Sequence, residues 1–274
     1  GQPFTPDAYG YIVRMFNGDN ISYALGDAST AYCGISNIRL WKRSFEKYHL
    51  TQTPENGFGE TPLKKYRRHI FLLHPNKVVI YDELEANEKV RWDWLLHSPV
   101  KFDINPAASI LTTVNKEKGV SSVVQLFCEQ EAAITQTDKY AAPPNHADAQ
   151  RGEDFTDPWS LTASFGPSRN NRILTIIQVE ADGRQAVQIM REGNTFQCGE
   201  WVIEAELNAK RPGRLYIRNS RNNAVFSYGD KKPEINGELY SCKEKDASVL
   251  FDCVNGEWTV QEMGDQRVQT MGKW

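Results

Sequence analysis

Residues 67–99, RRHIFLLHPNKVVIYDELEANEKVRWDWLLHSP, concentrate the side chains of this chain that could do acid–base or metal chemistry. His69, His74, Asp82 and His97 all lie there, so three of the five histidines fall within thirty-three residues. Imidazole titrates near neutrality and ligates metals. Held beside a carboxylate on adjacent strands, it suits either general acid–base work or a divalent ion.

The β-branched and aromatic content of this stretch predicts three strands, with the four residues at or near their ends. Strand alternation sends Val90, Trp92, Trp94 and Leu96 to one face, and Arg91, Asp93, Leu95 and His97 to the other. His69 shares a face with Arg67, Phe71 and Leu73. Asp82 is expected at a strand end, before a turn built from LEANEK. Upstream, GDASTAY (26–32) places Asp27 directly after a glycine that closes a strand.

Each of these residues also has an ordinary role. A histidine on a strand is commonly a hydrogen-bonded structural residue, and an aspartate beside a turn commonly caps it or faces water. The basic run Lys64, Lys65, Arg67, Arg68 fits a wet strand face, and equally a surface that holds an acidic saccharide. Spacing alone leaves these alternatives open.

The elements that must position these groups are strands. Runs such as YIVRMF (11–16), SYAL (22–25), SVVQLF (122–127), RILTIIQV (172–179), AVQIM (186–190) and WVIEAEL (201–207) have the composition of half-buried pleated surfaces. Asp182-Gly183 and Asn255-Gly256 tolerate positive φ and predict hairpins on either side of them. Many short antiparallel strands imply two packed sheets. The expected fold is therefore all-β: a large two-sheet antiparallel β-sandwich (supersandwich) over residues 1–200, with a small C-terminal β-unit over 201–274. Two segments break the rhythm, a possible short helix RSFEKYHL (43–50) with the polar stretch after it, and the Pro- and Asp-rich excursion 138–158.

With 274 residues and a formal net charge of −3, the chain has no overall electrostatic pull toward nucleic acid or anionic membrane. No apolar run approaches the roughly 20 residues of a membrane helix. The five cysteines form no C-x-x-C pair, which excludes a zinc ribbon or thioredoxin-like motif. Cys242 and Cys253 could bridge a strand pair, or could be buried thiols like the rest.

Three segments in order, GDASTAY, RRHIFLLHPNKVVIYDELEA and WDWLLHSP, resemble the β-sandwich region of heparinase II/III-like polysaccharide lyases. The resemblance runs from Gly1-Gln2 to about residue 190. It implies that an N-terminal helical toroid precedes the sandwich in the complete protein, and that the protein is bacterial and periplasmic or secreted. It also implies β-elimination at a uronic acid of an anionic polysaccharide. In that chemistry one group neutralises the sugar carboxylate, a base removes the C5 proton, and an acid protonates the departing oxygen. The family's catalytic tyrosine and asparagine lie on the toroid, and its catalytic histidine lies in a His-Asn motif expected upstream of Gly1. Catalysis by these 274 residues alone is therefore not expected.

The resemblance further implies a structural metal, usually zinc, held by two histidines and an aspartate. Asp27 matches the carboxylate and His69 the later histidine, with His97 and Asp82 in reserve and the first histidine upstream of Gly1. Tyr32 and Arg39 are expected to line the cleft, and Arg67, Arg68 and Trp41 to bind substrate. The alternative is a non-catalytic carbohydrate-binding or scaffold domain, in which exposed aromatics such as Tyr9, Trp41, Tyr48 and Trp159 stack on sugar rings.

Overall fold

The computed structural model describes residues 9–32, 46–49, 51, 53, 60–139, 158–181, 183–221, 223–229, 232–235, 237–243 and 246–265. The strands of its first sheet are β1 (Tyr11–Asn17), β2 (Ile21–Asp27), β3 (Leu63–Leu73), β4 (Lys77–Ser98), β5 (Asp103–Asn105), β6 (Ile110–Asn115), β7 (Val120–Phe127), β8 (Ala132–Thr137) and β9 (Trp159–Ala181). They follow the order β1-β2-β3-β4-β9-β7-β6-β5, with β8 paired to β9.

The second sheet is β10 (Ile189–Glu192), β11 (Thr195–Cys198), β12 (Trp201–Ala205), β13 (Leu215–Asn219), β14 (Ala224–Tyr228), β17 (Ser248–Val254) and β18 (Glu257–Met263). A two-stranded ribbon, β15 (Glu234–Ile235) and β16 (Glu238–Leu239), lies beside it in sequence. All pairings are antiparallel, as an all-β sandwich requires.

Alternation along the central strands builds the main core. Tyr23, Phe71, Val79 and Tyr81 of the first sheet meet Phe196, Trp201, Ile203, Phe226 and Leu250 of the second, all at 2 % exposure or less. Each such side chain contributes roughly 1.5–3 kcal/mol on burial.

The opposite face of the first sheet has its own cover. The long pair β4–β9 slips register between Glu85↔Asn170 and Val90↔Ser168, an irregularity that bends both strands. The second half of β4 thereby lays Trp92 and Trp94 into one cluster with Leu84, Ile173, Leu111 and Val124.

Several expectations change at this level. Residues 67–99 form two strands, not three, because LEANEK is the bend inside β4 rather than a turn. Asp182-Gly183 does not close a hairpin: β9 belongs to the first sheet and β10 to the second, and Gly183, at φ 73°, sits where the chain crosses between them. Residues 200 and 201 lie at the tight turn between paired strands β11 and β12, and side chains from β11 to β17 pack in the main core. Cys242 and Cys253 are free thiols. The Asn255-Gly256 hairpin joins β17 to β18 with both residues at positive φ. The helix at 43–50, apart from residues 46–49, and the excursion 138–158, apart from its ends, lie outside the described residues.

Candidate functional site

The β2–β3–β4 register decides which groups meet. Asp27, Arg67 and Glu83 lie in one cross-strand row, Gly26, Arg68 and Asp82 in the next, and Leu25, His69 and Tyr81 in the one after. Adjacent residues face opposite sides of a sheet. His69 and Glu83 therefore point into the main core, whereas Arg68 and Asp82 point to the outer face.

On the inner side, Glu83 is the centre of a buried polar network. Its Oε1 accepts from Tyr228 Oη at 2.7 Å and lies 3.2 Å from His69 Nε2. Its Oε2 lies 3.0 Å from Lys65 Nζ and 3.1 Å from Arg172 Nη2. His69 Nδ1 is 3.0 Å from Tyr23 Oη, which is 3.2 Å from Ser248 Oγ, to which Arg14 Nη1 donates at 2.9 Å.

Burial holds the His69 pKa below its ordinary value, against the opposing pull of Glu83. The imidazole is accordingly neutral: Nε2–H donates to Glu83, and Nδ1 accepts from Tyr23. Burial opposes ionisation of Glu83, but the His69 hydrogen bond and the Arg172 and Lys65 charges outweigh it and hold the carboxyl well below the usual range. The outcome is two neutral donors, His69 and Tyr228, and two cations around one carboxylate, with Arg172 Nε left without a hydrogen-bond partner.

This arrangement tests the fit of a metal. Asp27 Oδ1 accepts from the Ser29 amide at 3.0 Å, and its Oδ2 lies 3.5 Å from Arg67 Nε. Arg67 also meets Asp265 Oδ1 at 2.7 Å, an oxygen that Arg14 shares at 2.7 Å. Asp27 thus has a guanidinium beside it, and the buried imidazole already has both nitrogens engaged. His97, on the exposed side of β4, lies 3.3 Å from Ser160 Oγ. Asp82 is bonded to Arg68. The four candidate ligands go to four separate places, and among the described residues no group of three His, Cys, Asp or Glu side chains could hold a metal ion. The residues described here do not fit the expected zinc.

On the outer side the register builds a cleft. Asp82, expected at a strand end, is 1 % exposed in mid-strand. Arg68 binds it bidentately, Nε to Oδ1 at 2.6 Å and Nη2 to Oδ2 at 2.9 Å. Burial pushes the Asp82 carboxyl up, with Arg68 opposing. This pair lines a cavity of about 510 Å³ together with Tyr32, Tyr66, Trp92, Asp93, Trp94 and apolar neighbours. The Tyr32 and Tyr66 rings stack at 5.9 Å and 26°. Burial raises the Tyr66 phenol to about 12, so it is protonated at neutral pH.

Of the residues singled out in sequence, Tyr32, Arg68 and Asp82 thus converge on one cleft, while Asp27, Arg67, His69 and His97 do not. Arg39 and Trp41 lie outside the described residues. Glu83, Arg172, Tyr228, Ser248 and Asp265 were not anticipated. The available signal was the pair Asp82-Glu83 in an apolar strand: with both faces covered, each acid needs a partner.

No protein-family model and no curated protein matches the chain. Among solved structures, it is similar to the heparan sulfate lyase HepC from Pedobacter heparinus, with 6% identity and a TM-score of 0.45 over 77% of this chain and 26% of that one. It is also similar to the heparinase III BT4657 gene product, with 12% identity and a TM-score of 0.48 over 76% and 27%. A further heparinase III structure gives 11% identity and a TM-score of 0.43 over 93% and 27%. The likeness is one of fold. The chain spans about a quarter of the length of these matched proteins.

Proposed function

We propose that this chain is the β-sandwich part of a polysaccharide lyase that cleaves a uronic-acid-containing polysaccharide by β-elimination in the periplasm or outside the cell. The observation that carries the reading is the outer cleft. A cavity of about 510 Å³ is within the range of small-ligand sites, and its walls combine aromatic faces with a few fixed polar groups. Sugar rings are bound by that mixture, since their C–H faces pack on aromatic rings and their hydroxyls need directed partners. The three motifs that resemble the lyase sandwich supply Tyr32, Arg68, Asp82 and Trp92 to it.

In this reading the sandwich provides one wall of the substrate groove. The base and the acid of the elimination come from the toroid and from the His-Asn segment, which this sequence does not contain. The 274-residue chain should bind heparin or alginate saturably, followed by tryptophan fluorescence, without generating the ultraviolet absorbance of unsaturated uronides. The toroid-bearing protein should generate it. Absence of binding to both polymers, or of turnover by the longer protein, would overturn the reading. Turnover by the 274 residues alone would overturn their expected inactivity.

A second reading, a non-catalytic carbohydrate-binding domain, is supported by one specific contact. Arg68 gives two of its five donors to Asp82, so its charge is already compensated within the pair before a sugar carboxylate arrives.

A further inference from the structure

We propose that Arg14 and Arg67 form a binding site for a tetrahedral oxyanion, a sulfate group, which Asp265 of the chain's own C-terminal segment occupies and guards. The site lies on the inner side of the first sheet, beside Ser248 and Tyr228 of the second, and the inference does not depend on the lyase reading.

The donor geometry is the first ground. The side chains of Arg14 on β1 and Arg67 on β3 are 3% and 12% exposed, so water does little to screen either charge. Both reach one carboxylate oxygen. Asp265 Oδ1 lies 2.8 Å from Arg14 Nε and 2.7 Å from Arg14 Nη2 and from Arg67 Nη2. A carboxylate oxygen has two lone pairs, and three guanidinium nitrogens compete for them here. Among the described residues, Asp265 Oδ2 accepts no hydrogen bond. Arg67 Nε is buried and makes none, standing 3.5 Å from Asp27 Oδ2. A tetrahedral anion spreads its acceptors over four oxygens, and two guanidinium forks match that arrangement better than they match one carboxylate oxygen.

Access is the second ground. Asp265 follows β18, whose pairing with β17 ends at Ser248↔Met263, so its side chain can leave without breaking a ladder bond. It is also 47% exposed, and the mouth of the site opens to solvent. With Asp265 withdrawn, the contacts left to Arg14 among the described residues are Ser248 Oγ at 2.9 Å and the face of the Tyr228 ring at 5.6 Å. Arg67 keeps the carboxylate of Asp27. A buried guanidinium without a counterion is strongly unfavourable, so the vacated site recruits an anion. Asp265 thus acts as a tethered ligand that a free anion must displace.

The test follows thermal denaturation of the full 274-residue chain in sodium sulfate, against sodium chloride of equal ionic strength. Removing the tethered competitor vacates the site, so the sulfate concentration for half-saturation should fall at least about tenfold from the wild type to Asp265→Ala. Sulfate should also recover most of the midpoint that this substitution loses. Adding Arg67→Met should abolish the gain and leave only the general stabilisation that sulfate gives any folded protein. Asp265→Asn keeps the shape and a weaker acceptor. It serves if the alanine variant does not fold, and should tighten sulfate binding about threefold or more. Glucosamine 6-sulfate, set against glucosamine, separates the sources of the anion. Stabilisation by it as well as by inorganic sulfate assigns a sulfate ester, and stabilisation by inorganic sulfate alone assigns the free ion. A sulfate response that is the same in the wild type and both Asp265 variants would overturn the site, as would a gain that survives Arg67→Met.

Discussion

His69 Nε2 lies 3.2 Å from Glu83 Oε1 across the β3–β4 pair, with both side chains fully buried. The two are diagonal neighbours, since His69 is paired with Tyr81 and Glu83 with Arg67. The same Glu83 oxygen accepts from Tyr228 of β14, so one carboxylate ties a strand of the first sheet to a strand of the second. This is a polar joint inside an otherwise apolar interface. Its consequences can be measured without knowing the ligand.

Glu83→Gln should destabilise the fold by about 3–5 kcal/mol, because it removes the charge that compensates buried Arg172 and partly buried Lys65. Urea denaturation reads this directly. A loss below about 1 kcal/mol would mean that the joint is incidental.

Gly213 is placed where a Cβ would run into the Glu83 carboxylate. That carboxylate cannot swing aside without abandoning several partners. Gly213→Ala should therefore cost about 1–3 kcal/mol, by overpacking. In a Glu83→Ala background the same substitution should cost much less, a coupling that a double-mutant cycle detects.

Tyr23→Phe removes the hydroxyl between His69 Nδ1 and Ser248 Oγ. The ring still packs against Phe71 and Phe226, so the cost is that of a stranded acceptor, about 1–3 kcal/mol. Thermal denaturation at neutral pH should show the loss, with no change in strand content by circular dichroism.

Acid should weaken the fold through this joint in two stages. The folded pKa of His69 lies below its unfolded value of about 6.5. Below that pH the unfolded chain takes up a proton that the native chain refuses, so stability held above about pH 6.5 is lost as pH falls toward the folded pKa. Glu83 is also depressed, and its contribution is lost in the same direction from its unfolded pKa of about 4.3 downward. Each group gives a limiting slope of about 1.4 kcal/mol per pH unit. Denaturant midpoints between pH 7 and 4 should fall accordingly, and His69→Gln should flatten the upper part of the curve. A midpoint that rises on acidification would contradict a neutral His69.

Zinc uptake tests the contacts of Asp27 and His69. With Arg67 beside Asp27 and both imidazole nitrogens engaged, neither Asp27→Ala nor His69→Ala should change the zinc retained after dialysis, measured by elemental analysis. An equivalent of zinc lost in both variants would restore them as co-ligands.

Local pattern in the sequence was enough for some of this. Alternation in VRWDWLLH correctly separates buried Trp92 and Trp94 from exposed Arg91, Leu95 and His97, because a strand covered on one face must alternate. Asn255-Gly256 makes its hairpin because only residues tolerant of positive φ close so short a turn. The tertiary structure alone decided the rest. Whether LEANEK turns or merely bends depends on β9, more than 70 residues away, which holds both halves of β4 in one pairing. Whether Asp82 and Glu83 meet water depends on layers drawn from Trp92, Ile173, Arg172 and Tyr228. The residues first grouped by sequence, His69, Asp82 and His97, part company for the same reason: alternation and the bend in β4 send them to the core, the cleft and the outer surface. Their chemistry was visible in the sequence, but their partners are chosen by strand register and sheet packing, to which sequence spacing is blind.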